Sequence, residues 1–253
     1  MSVKRKRFRL QFTDDQVMNV GPICPLGQAR SDLVEIIVAL FDLEGFTNFF
    51  NRASVPRYTI IPNFINAFLS WLNHSFSNPA LPKPDYSKFL GDGVLLVWET
   101  DKQRLLRGVL KAEFMNFCWR LVRGQEKSYE KEFLPELLRK ISPIRTCEYP
   151  KHLRVCVSLG HAVKYVRGKS VEYVSECINV ASRIIRYNPE LYFIAHSNLV
   201  TNEAVVGKKY VHKQLTEVRG IDNPICVYID EADFKSLTNK SKRKFRKVRG
   251  VTS

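Results

Sequence analysis

The sequence lacks an apolar run of about 18 residues or more, the length that marks a membrane-spanning helix. It also lacks the apolar segment and small-residue cleavage site of a secretory signal, although its first residues are basic. We therefore expect neither a membrane span nor a secretory leader.

Cysteine pairs at metal-ligand spacing are missing as well. None of the six cysteines belongs to a C-x-x-C pattern, and they are scattered along the chain: Cys24, Cys118, Cys147, Cys156, Cys177 and Cys226. This distribution favours reduced thiols in a cytoplasmic protein over a disulfide framework or a zinc site.

Acidic residues are absent from both ends of a chain whose net charge is +15. Residues 1–9 and 235–253 together carry thirteen lysines and arginines, so the rest of the chain is nearly neutral. A large positive charge is typical of nucleic-acid binding, but the near-neutral body argues against a specific nucleic-acid partner. We predict a basic arm and loop at 1–30 and a basic tail at 235–253, solvated or in weak contact with anionic surfaces.

At 253 residues and 45% hydrophobic content, the chain has enough apolar material for a sizeable core. Its periodicity predicts an α+β fold with a ferredoxin-like βαββαβ core and an added αββ, the helices packed on one sheet. The predicted folded domain covers 31–234, with an elaborated segment at 124–150. Predicted strands lie at 34–41, 86–90, 94–98, 153–159, 162–166, 191–195, 209–217 and 225–229, and predicted helices at 45–53, 57–76, 101–122, 176–187 and 198–206.

The stretch IIVALFDLEGFTNFF at 36–50 joins a buried strand to a helix. Asp42 ends the strand, Gly45 allows a tight turn, and Phe46 begins the helix. A helix N-terminus offers free N–H groups to phosphate oxygens, and a carboxylate beside it can hold the magnesium that accompanies a nucleotide. Asp42 could equally cap the helix, so this stretch alone leaves both interpretations open.

A second stretch, DYSKFLGDGVLLVW at 85–98, reads as a hairpin whose turn is Asp92-Gly93. If this hairpin lies beside the first strand, Asp92 comes next to Asp42. Two neighbouring carboxylates repel each other unless a cation lies between them. The pair therefore indicates a candidate metal site.

FDLEGFTNF at 41–49 followed by KFLGDG at 88–93 resembles the catalytic domain of class III nucleotidyl cyclases. EYVSECINVASRI at 172–184 resembles the family's segment ending in N-x-x-x-R, and VRG at 218–220 resembles its phosphate-binding Lys/Arg segment. The four segments occur in the family's order. The resemblance implies a class III cyclase fold and a phosphorus–oxygen lyase that converts a nucleoside triphosphate to a 3′,5′-cyclic monophosphate and pyrophosphate.

The resemblance also implies a metal and phosphate site. Asp42 and Asp92, with the Leu43 carbonyl, would hold two divalent cations, Mg²⁺ or Mn²⁺. The turn formed by Gly45, Phe46 and Thr47 would bind the β- and γ-phosphates through backbone N–H groups.

The same resemblance implies roles for three further polar residues. Asn179 would orient the ribose, Arg183 would stabilise charge on the α-phosphate, and Arg219 would bind the terminal phosphates. Asn179 and Arg183 are four residues apart and so share a helix face. Without the motif, Arg183 would be read as an exposed helix arginine.

In this family one protomer supplies the metal acids, and its partner supplies the Asn, the Arg and the base-reading residues. This chain carries both sets. The resemblance therefore implies a homodimer with two shared sites and an inert monomer.

Lys88 and Glu172 occupy the family's two base-reading positions. Adenylyl cyclases carry Lys and Asp there, and guanylyl cyclases carry Glu and usually Cys, so this pair favours adenine. A Lys donor and a Glu acceptor serve uracil equally well with their roles exchanged. The pair could also be two surface residues on strand ends.

Other traits resemble the free-standing pyrimidine cyclases of bacterial antiphage signalling. No receptor or sensor domain is evident, Ser175 replaces the family's usual Gly, and the aromatic residues Phe46, Phe49 and Phe50 crowd the metal helix. We expect Phe46 and Phe50 to leave room for one ring, so that Phe50 takes part in base reading. A pyrimidine triphosphate is then favoured over a purine, with UTP preferred to CTP, and a downstream effector would read the cyclic nucleotide.

Three alternatives remain from the sequence. The first is a soluble adenylate cyclase with the same chemistry. The second is an inactive cyclase-fold module that binds nucleotides, although every motif residue is intact. The third is an RNA-binding ferredoxin-like protein, but the candidate strands carry no RNP-type aromatic motif.

Overall fold

The computed structural model describes residues 11–12, 17–19, 28–52, 57–77, 82–100, 109–140, 149–167, 170–200 and 209–248. These residues form one eleven-stranded sheet with helices packed against it. The strands are β1 Gln11–Phe12, β2 Val17–Asn19, β3 Gln28–Leu43, β4 Tyr86–Phe89, β5 Gly93–Glu99, β6 Leu153–Arg167, β7 Ser170–Ser175, β8 Phe193–His196, β9 Tyr210–Leu215, β10 Cys226–Asp230 and β11 Phe245–Lys247. The helices are α1 Phe46–Arg52, α2 Arg57–Ser75, α3 Val109–Arg123, α4 Leu134–Lys140, α5 Glu176–Ile184, α6 Glu231–Ser236 and α7 Asn239–Lys242, with a π-helical turn at Tyr129–Phe133 and a 3₁₀ turn at Ser197–Leu199.

The two long strands β3 and β6 form the centre of the sheet and run antiparallel. The β4–β5 hairpin extends the sheet beyond β3, and β7 folds back along the far half of β6. On the other side of β6 follow β8, which is parallel to it, and then β10, β9 and β11. The predicted α+β architecture is confirmed.

The core has two layers because β3 is buried on both faces. Ile37, Ala39 and Phe41 pack with residues of α1 to α4, while Val38 and Leu40 pack with α5 on the opposite face. A strand covered on both sides needs apolar residues at successive positions, which explains the unbroken run before Asp42.

The separate predicted strands 153–159 and 162–166 implied a turn at Gly160, but the chain does not turn there. The single strand β6 runs through it, and Gly160 is in register with Ile36 of β3. A Cβ at Gly160 would lie 2.8 Å from the Cβ of Cys177. The glycine therefore lets α5 approach the sheet closely.

The segment from residue 235, predicted as a basic tail, is folded up to residue 248. Helices α6 and α7 lead into β11, which pairs with β9, so residues up to 248 belong to the fold. Phe245 is 8% exposed, and its ring lies 5.5 Å from that of Tyr187. The basic side chains Arg243 and Lys247 remain exposed. The high positive charge of the segment led to the tail prediction, although its apolar residues Leu237 and Phe245 are buried in the fold.

The expected arm at 1–30 also contains structure: β1 and β2 pair with each other, and β3 begins at Gln28. The basic residues of 1–9 lie outside the described residues. The elaborated segment at 124–150 contains α4, and the buried side chains of Tyr129, Phe133 and Leu137 join the core. Residues 101–108 and 201–208, where two predicted helices begin or end, also lie outside the described part.

Among the described helices, none has both the length and the apolar character needed to cross a bilayer. Cys118, Cys156, Cys177 and Cys226 are free thiols. The other two cysteines, Cys24 and Cys147, lie outside the described residues.

Candidate active site

Asp42 and Asp92 are neighbours at one end of the sheet. Asp42 is in register with Gly93 of β5, and the backbone N–H of Leu43 donates to the Asp92 carbonyl at 2.8 Å. A Cβ on Gly93 would lie 2.1 Å from the Phe41 carbonyl oxygen, so only glycine permits this approach. The hairpin therefore lies beside the first acid, the placement on which the candidate metal site depended. Its two turn residues are Gly91 and Asp92, not the predicted Asp92 and Gly93, because Gly93 already begins β5.

Each of these carboxylates faces an arginine of the same chain. Arg154 of β6 donates its Nε to Oδ2 of Asp42 at 2.9 Å, and a second guanidinium nitrogen contacts the same oxygen. Arg186 lies 3.7 Å from Oδ2 of Asp92. Asp42 is only 6% exposed, so the arginine offsets the cost of burying its charge.

The donors at this sheet end suit a hard divalent cation. Two carboxylates and the Leu43 carbonyl are all oxygen ligands, the type that Mg²⁺ and Mn²⁺ prefer. Arg154 takes Oδ2 of Asp42, and within the described residues Oδ1 accepts no hydrogen bond. The described part of the chain brings no three or more His, Cys, Asp or Glu side chains together as a metal-binding group.

The predicted phosphate turn follows directly. Gly45 has a φ of 79°, which other residues rarely adopt, and its carbonyl accepts from the Phe49 N–H at 2.9 Å. Thr47 is exposed, whereas Phe46 is buried and packs against Phe49.

The two aromatic residues expected to narrow the base pocket therefore differ in exposure. Phe50 is 47% exposed, whereas Phe46 is 7% exposed and belongs to the core. Their ring centroids lie 6.5 Å apart. The buried ring of Phe46 thus packs near the exposed ring of Phe50, and Phe50 is the one of the two that a ligand can contact.

Lys88 and Glu172 form an ion pair between β4 and β7. Lys88 Nζ lies 3.1 and 3.0 Å from the two carboxylate oxygens of Glu172, and the Tyr86 hydroxyl donates to Oε2 at 2.9 Å. The hydrogen bond from Lys88 lowers the pKa of the Glu172 carboxyl, and the same bond raises the pKa of the Lys88 ammonium. The two predicted base-reading residues thus meet although 84 residues separate them.

Tyr86 is a member of this cluster that the sequence analysis missed. It lies two residues before Lys88 on β4, a spacing that places both side chains on the same face of a strand. That alternation was the available signal. Burial, and then its bond to Glu172, raise the pKa of the Tyr86 hydroxyl.

Strand β7 is anchored by a buried polar network. Glu99 is 3% exposed and accepts from Lys164 Nζ at 2.7 Å and from the Tyr173 hydroxyl at 2.5 Å. The ring of Tyr173 contacts that of Tyr86 with centroids 5.3 Å apart. A paired and hydrogen-bonded carboxylate is tolerated inside a protein, and here it fixes the residue next to Glu172.

Asn179, Arg183 and Arg219 line one cleft of about 650 Å³, which we call the cationic cleft. Its lining residues are Asn179, Ser182, Arg183, Arg186, Tyr187, Thr216, Glu217, Val218, Arg219 and Lys244. A guanidinium nitrogen of Arg183 donates to the Arg219 carbonyl, and the adjoining Gly220 has a φ of 71°. A Cβ on Gly220 would lie 3.2 Å from the guanidinium of Arg183, so this turn favours glycine chiefly for its backbone conformation.

Arg186 and Lys244 are cleft residues that the sequence analysis did not single out. Arg186 follows Arg183 by three residues, so helical spacing was a usable signal for it. The sequence offered no comparable signal for Lys244, because the strand that follows it, β11, was not predicted.

Ser175 departs from the family pattern and caps α5. Its hydroxyl accepts from the Cys177 N–H at 3.1 Å and donates to the His161 carbonyl at 2.6 Å. A serine at this position therefore stabilises the start of the helix that carries Asn179.

The fold is similar to that of three solved structures. The guanylyl cyclase Cya2 matches with a TM-score of 0.52 and 15% identity, covering 79% of this chain and 93% of that one. The adenylyl cyclase CyaB from P. aeruginosa matches at 0.52 and 13%, covering 79% and 95%. A bacterial light-regulated adenylyl cyclase matches at 0.51 and 13%, covering 80% of this chain and 53% of that one. The chain has the fold of nucleotidyl cyclase catalytic domains. No protein-family model and no curated protein matches the sequence.

Within this cyclase fold the polar residues form three groups of different chemistry. The carboxylates of Asp42 and Asp92 provide an anionic strand end, and the cationic cleft provides arginines. The exposed Lys88–Glu172 pair provides one donor and one acceptor. Together they offer ligands for cations, for phosphates and for the edge of a base.

Proposed function

We propose that this protein is a nucleotidyl cyclase that converts a pyrimidine triphosphate, UTP in preference to CTP, to the 3′,5′-cyclic monophosphate and pyrophosphate. The observation that carries the cyclase assignment is the joint presence of two features in one cyclase-fold chain. These are the adjacent acids Asp42 and Asp92, and the cleft lined by Asn179, Arg183 and Arg219.

In the proposed reaction the ribose 3′ oxygen attacks the α-phosphorus and loses its proton. The bond from the α-phosphorus to the oxygen that bridges it to the β-phosphate breaks, and pyrophosphate leaves. Asp42, Asp92 and the Leu43 carbonyl would hold two divalent cations, Mg²⁺ or Mn²⁺, whose chemistry is to lower the pKa of the 3′ hydroxyl and neutralise phosphate charge.

The cationic cleft supplies the remaining charge stabilisation. Arg183 is held by the Arg219 carbonyl, so its guanidinium is oriented before a ligand arrives and can stabilise charge on the α-phosphate. Arg219 binds the terminal phosphates, and Asn179, one turn before Arg183, orients the ribose. The turn at Gly45, Phe46 and Thr47 contributes backbone N–H groups to the β- and γ-phosphates.

The active form is a homodimer in which the acids of one protomer meet the cleft of the other. The resemblance to class III cyclases supports this arrangement. Within one chain, Arg186 of the cleft lies 3.7 Å from Asp92, whereas none of the described carboxylates forms an ion pair with Arg183 or Arg219. Both arginines are exposed and available to a phosphate.

Lys88 and Glu172 read the base. Uracil offers a carbonyl acceptor and an N–H donor side by side, which match the ammonium of Lys88 and the carboxylate of Glu172. Phe50 is the exposed ring on α1 that limits the space to one aromatic ring. Because the same pair also matches the adenine edge with its roles exchanged, rejection of purines rests on the space that Phe50 leaves for the base.

The biological setting follows from the resemblance to pyrimidine cyclases. We place the enzyme in the bacterial cytoplasm, in antiphage signalling, where a downstream effector reads the cyclic nucleotide. Basic residues at the chain ends add weak contact with anionic surfaces.

A soluble adenylate cyclase is the second candidate, because a Lys paired with an acid also matches the adenine edge. A product assay with ATP, GTP, CTP and UTP, each with Mg²⁺ or Mn²⁺, separates the candidates. The proposal predicts cyclic UMP as the main product. Cyclic AMP as the main product would support the second candidate, and nucleotide binding without any cyclic product would support an inactive binding module.

A further inference from the structure

The cationic cleft takes one of its positive side chains from the C-terminal segment. Lys244 lines it together with Arg183, Arg186 and Arg219, and Glu217 is the one acidic residue among the described lining residues. The cleft therefore carries a net positive charge to which three separate parts of the chain contribute.

The backbone of Lys244 is fixed in place. Its carbonyl accepts from the Thr216 N–H at 3.0 Å and from the Tyr187 hydroxyl at 2.7 Å, and both partners also line the cleft. The next residue, Phe245, is buried, with its ring 5.7 Å from that of Phe234. Lys244 is thus held at the rim of the cleft by folded structure.

The side chain of Lys244 is free to bind an anion. It is exposed, its Nζ lies 5.8 Å from the centre of the Tyr187 ring, and no described carboxylate pairs with it. An ammonium on a flexible stem adapts to phosphate oxygens, while the fork of Arg219 binds them in a fixed orientation. The cleft volume of about 650 Å³ lies within the range of ligand pockets.

We propose that Lys244 and Arg219 form a polyphosphate clamp, in which Lys244 binds the terminal phosphate oxygens of the nucleoside triphosphate. The clamp deepens the proposed function and rests on it for the identity of the nucleotide. Its ligand chemistry, an inorganic polyphosphate chain, can be tested without turnover.

The test is binding of inorganic triphosphate to the full chain, measured by isothermal titration calorimetry. Lys244→Gln should weaken binding about tenfold, the loss of one charge-assisted contact. Lys247→Gln is the matched control, because this lysine is also exposed and lies three residues away on β11. It should bind as the wild type does. An equal loss in both variants would show nonspecific charge attraction, and no loss in Lys244→Gln would overturn the clamp.

Steady-state kinetics separates the clamp from the cyclase assignment. Lys244→Gln should raise KM for the preferred triphosphate about tenfold, with kcat within about twofold, if the contact is equally strong in the ground and transition states. If no triphosphate is cyclised, the proposed function fails, and triphosphate binding still decides the clamp. If cyclic product forms and Lys244→Gln changes neither KM nor triphosphate affinity, the clamp fails and the cyclase stands.

Discussion

Arg154 and Asp42 face each other in register across β3 and β6, and the guanidinium binds the carboxylate through two nitrogens. Both side chains are largely buried, at 13% and 9% exposed. The acid proposed to hold a metal is therefore also part of a structural ion pair. Asp92, with a side chain 38% exposed, has a looser partner in Arg186. The two acids should consequently respond differently to substitution.

The first prediction concerns the two acids. Asp42→Asn and Asp92→Asn should each abolish cyclic nucleotide formation, because a metal-binding carboxylate is lost. Only Asp42→Asn should also lower the free energy of unfolding, by about 3 kcal/mol, because it leaves Arg154 buried without its counter-charge. Product assays and urea unfolding measure the two effects. Wild-type turnover in either variant would remove that acid from the metal site.

The second prediction concerns sharing of sites between protomers. Asp92→Asn and Arg183→Ala chains should each be inactive alone. Mixed in equal amounts they should regain about a quarter of wild-type activity, because half of the dimers are mixed and each holds one intact site. Size-exclusion chromatography checks that both variants dimerise. Mixed dimers without activity would contradict the shared-site architecture.

The third prediction concerns Phe50. If its ring limits the pocket to a pyrimidine, Phe50→Ala should admit ATP and GTP and lower kcat/KM for UTP. Leu138→Ala is the matched control, since Leu138 is also 47% exposed but lies on α4. Competition assays that offer UTP together with ATP or GTP measure the ratio of the kcat/KM values for the two substrates. An unchanged preference in Phe50→Ala would exclude this ring from base selection.

The fourth prediction concerns Tyr86. Tyr86→Phe removes the hydroxyl that orients Glu172, so the preference for the best base should fall about fivefold to tenfold, the worth of one hydrogen bond. Tyr165→Phe is the control, because Tyr165 is in register with Glu172 and its hydroxyl forms no hydrogen bond among the described residues. Stability should change little in either variant. If Tyr86→Phe and Tyr165→Phe have the same base preference, Tyr86 has no part in base reading.

The fifth prediction concerns the C-terminal segment. Phe245→Ala should lower the free energy of unfolding by about 3 kcal/mol, because it leaves a cavity beside Tyr187 and Phe234. Lys247→Ala, two residues further, should have little effect, since its side chain is exposed. Chemical unfolding followed by fluorescence measures both. A Phe245→Ala protein as stable as the wild type would mean that this segment is a dispensable tail.

Local patterns in the sequence were sufficient for several elements. The apolar run before Asp42 predicted the buried end of β3. The hairpin at 85–98 was also predicted, although its turn is Gly91-Asp92, one residue earlier than the predicted Asp92-Gly93. Helical spacing predicted α2 within a residue of its observed end. These predictions succeeded because each depends on the periodicity or turn chemistry of one short segment.

Other features were decided only by tertiary structure. The pairing of Asp42 with Arg154 depends on the register of two strands, and the burial of Phe46 depends on α2 packing over α1. Gly160 looked like a turn because its neighbour Cys177 is distant in sequence, and Phe245 was obscured by adjacent lysines and arginines. A sequence pattern records what each segment prefers by itself, whereas register, close approach and shared clefts arise from contacts between segments that only the folded chain brings together.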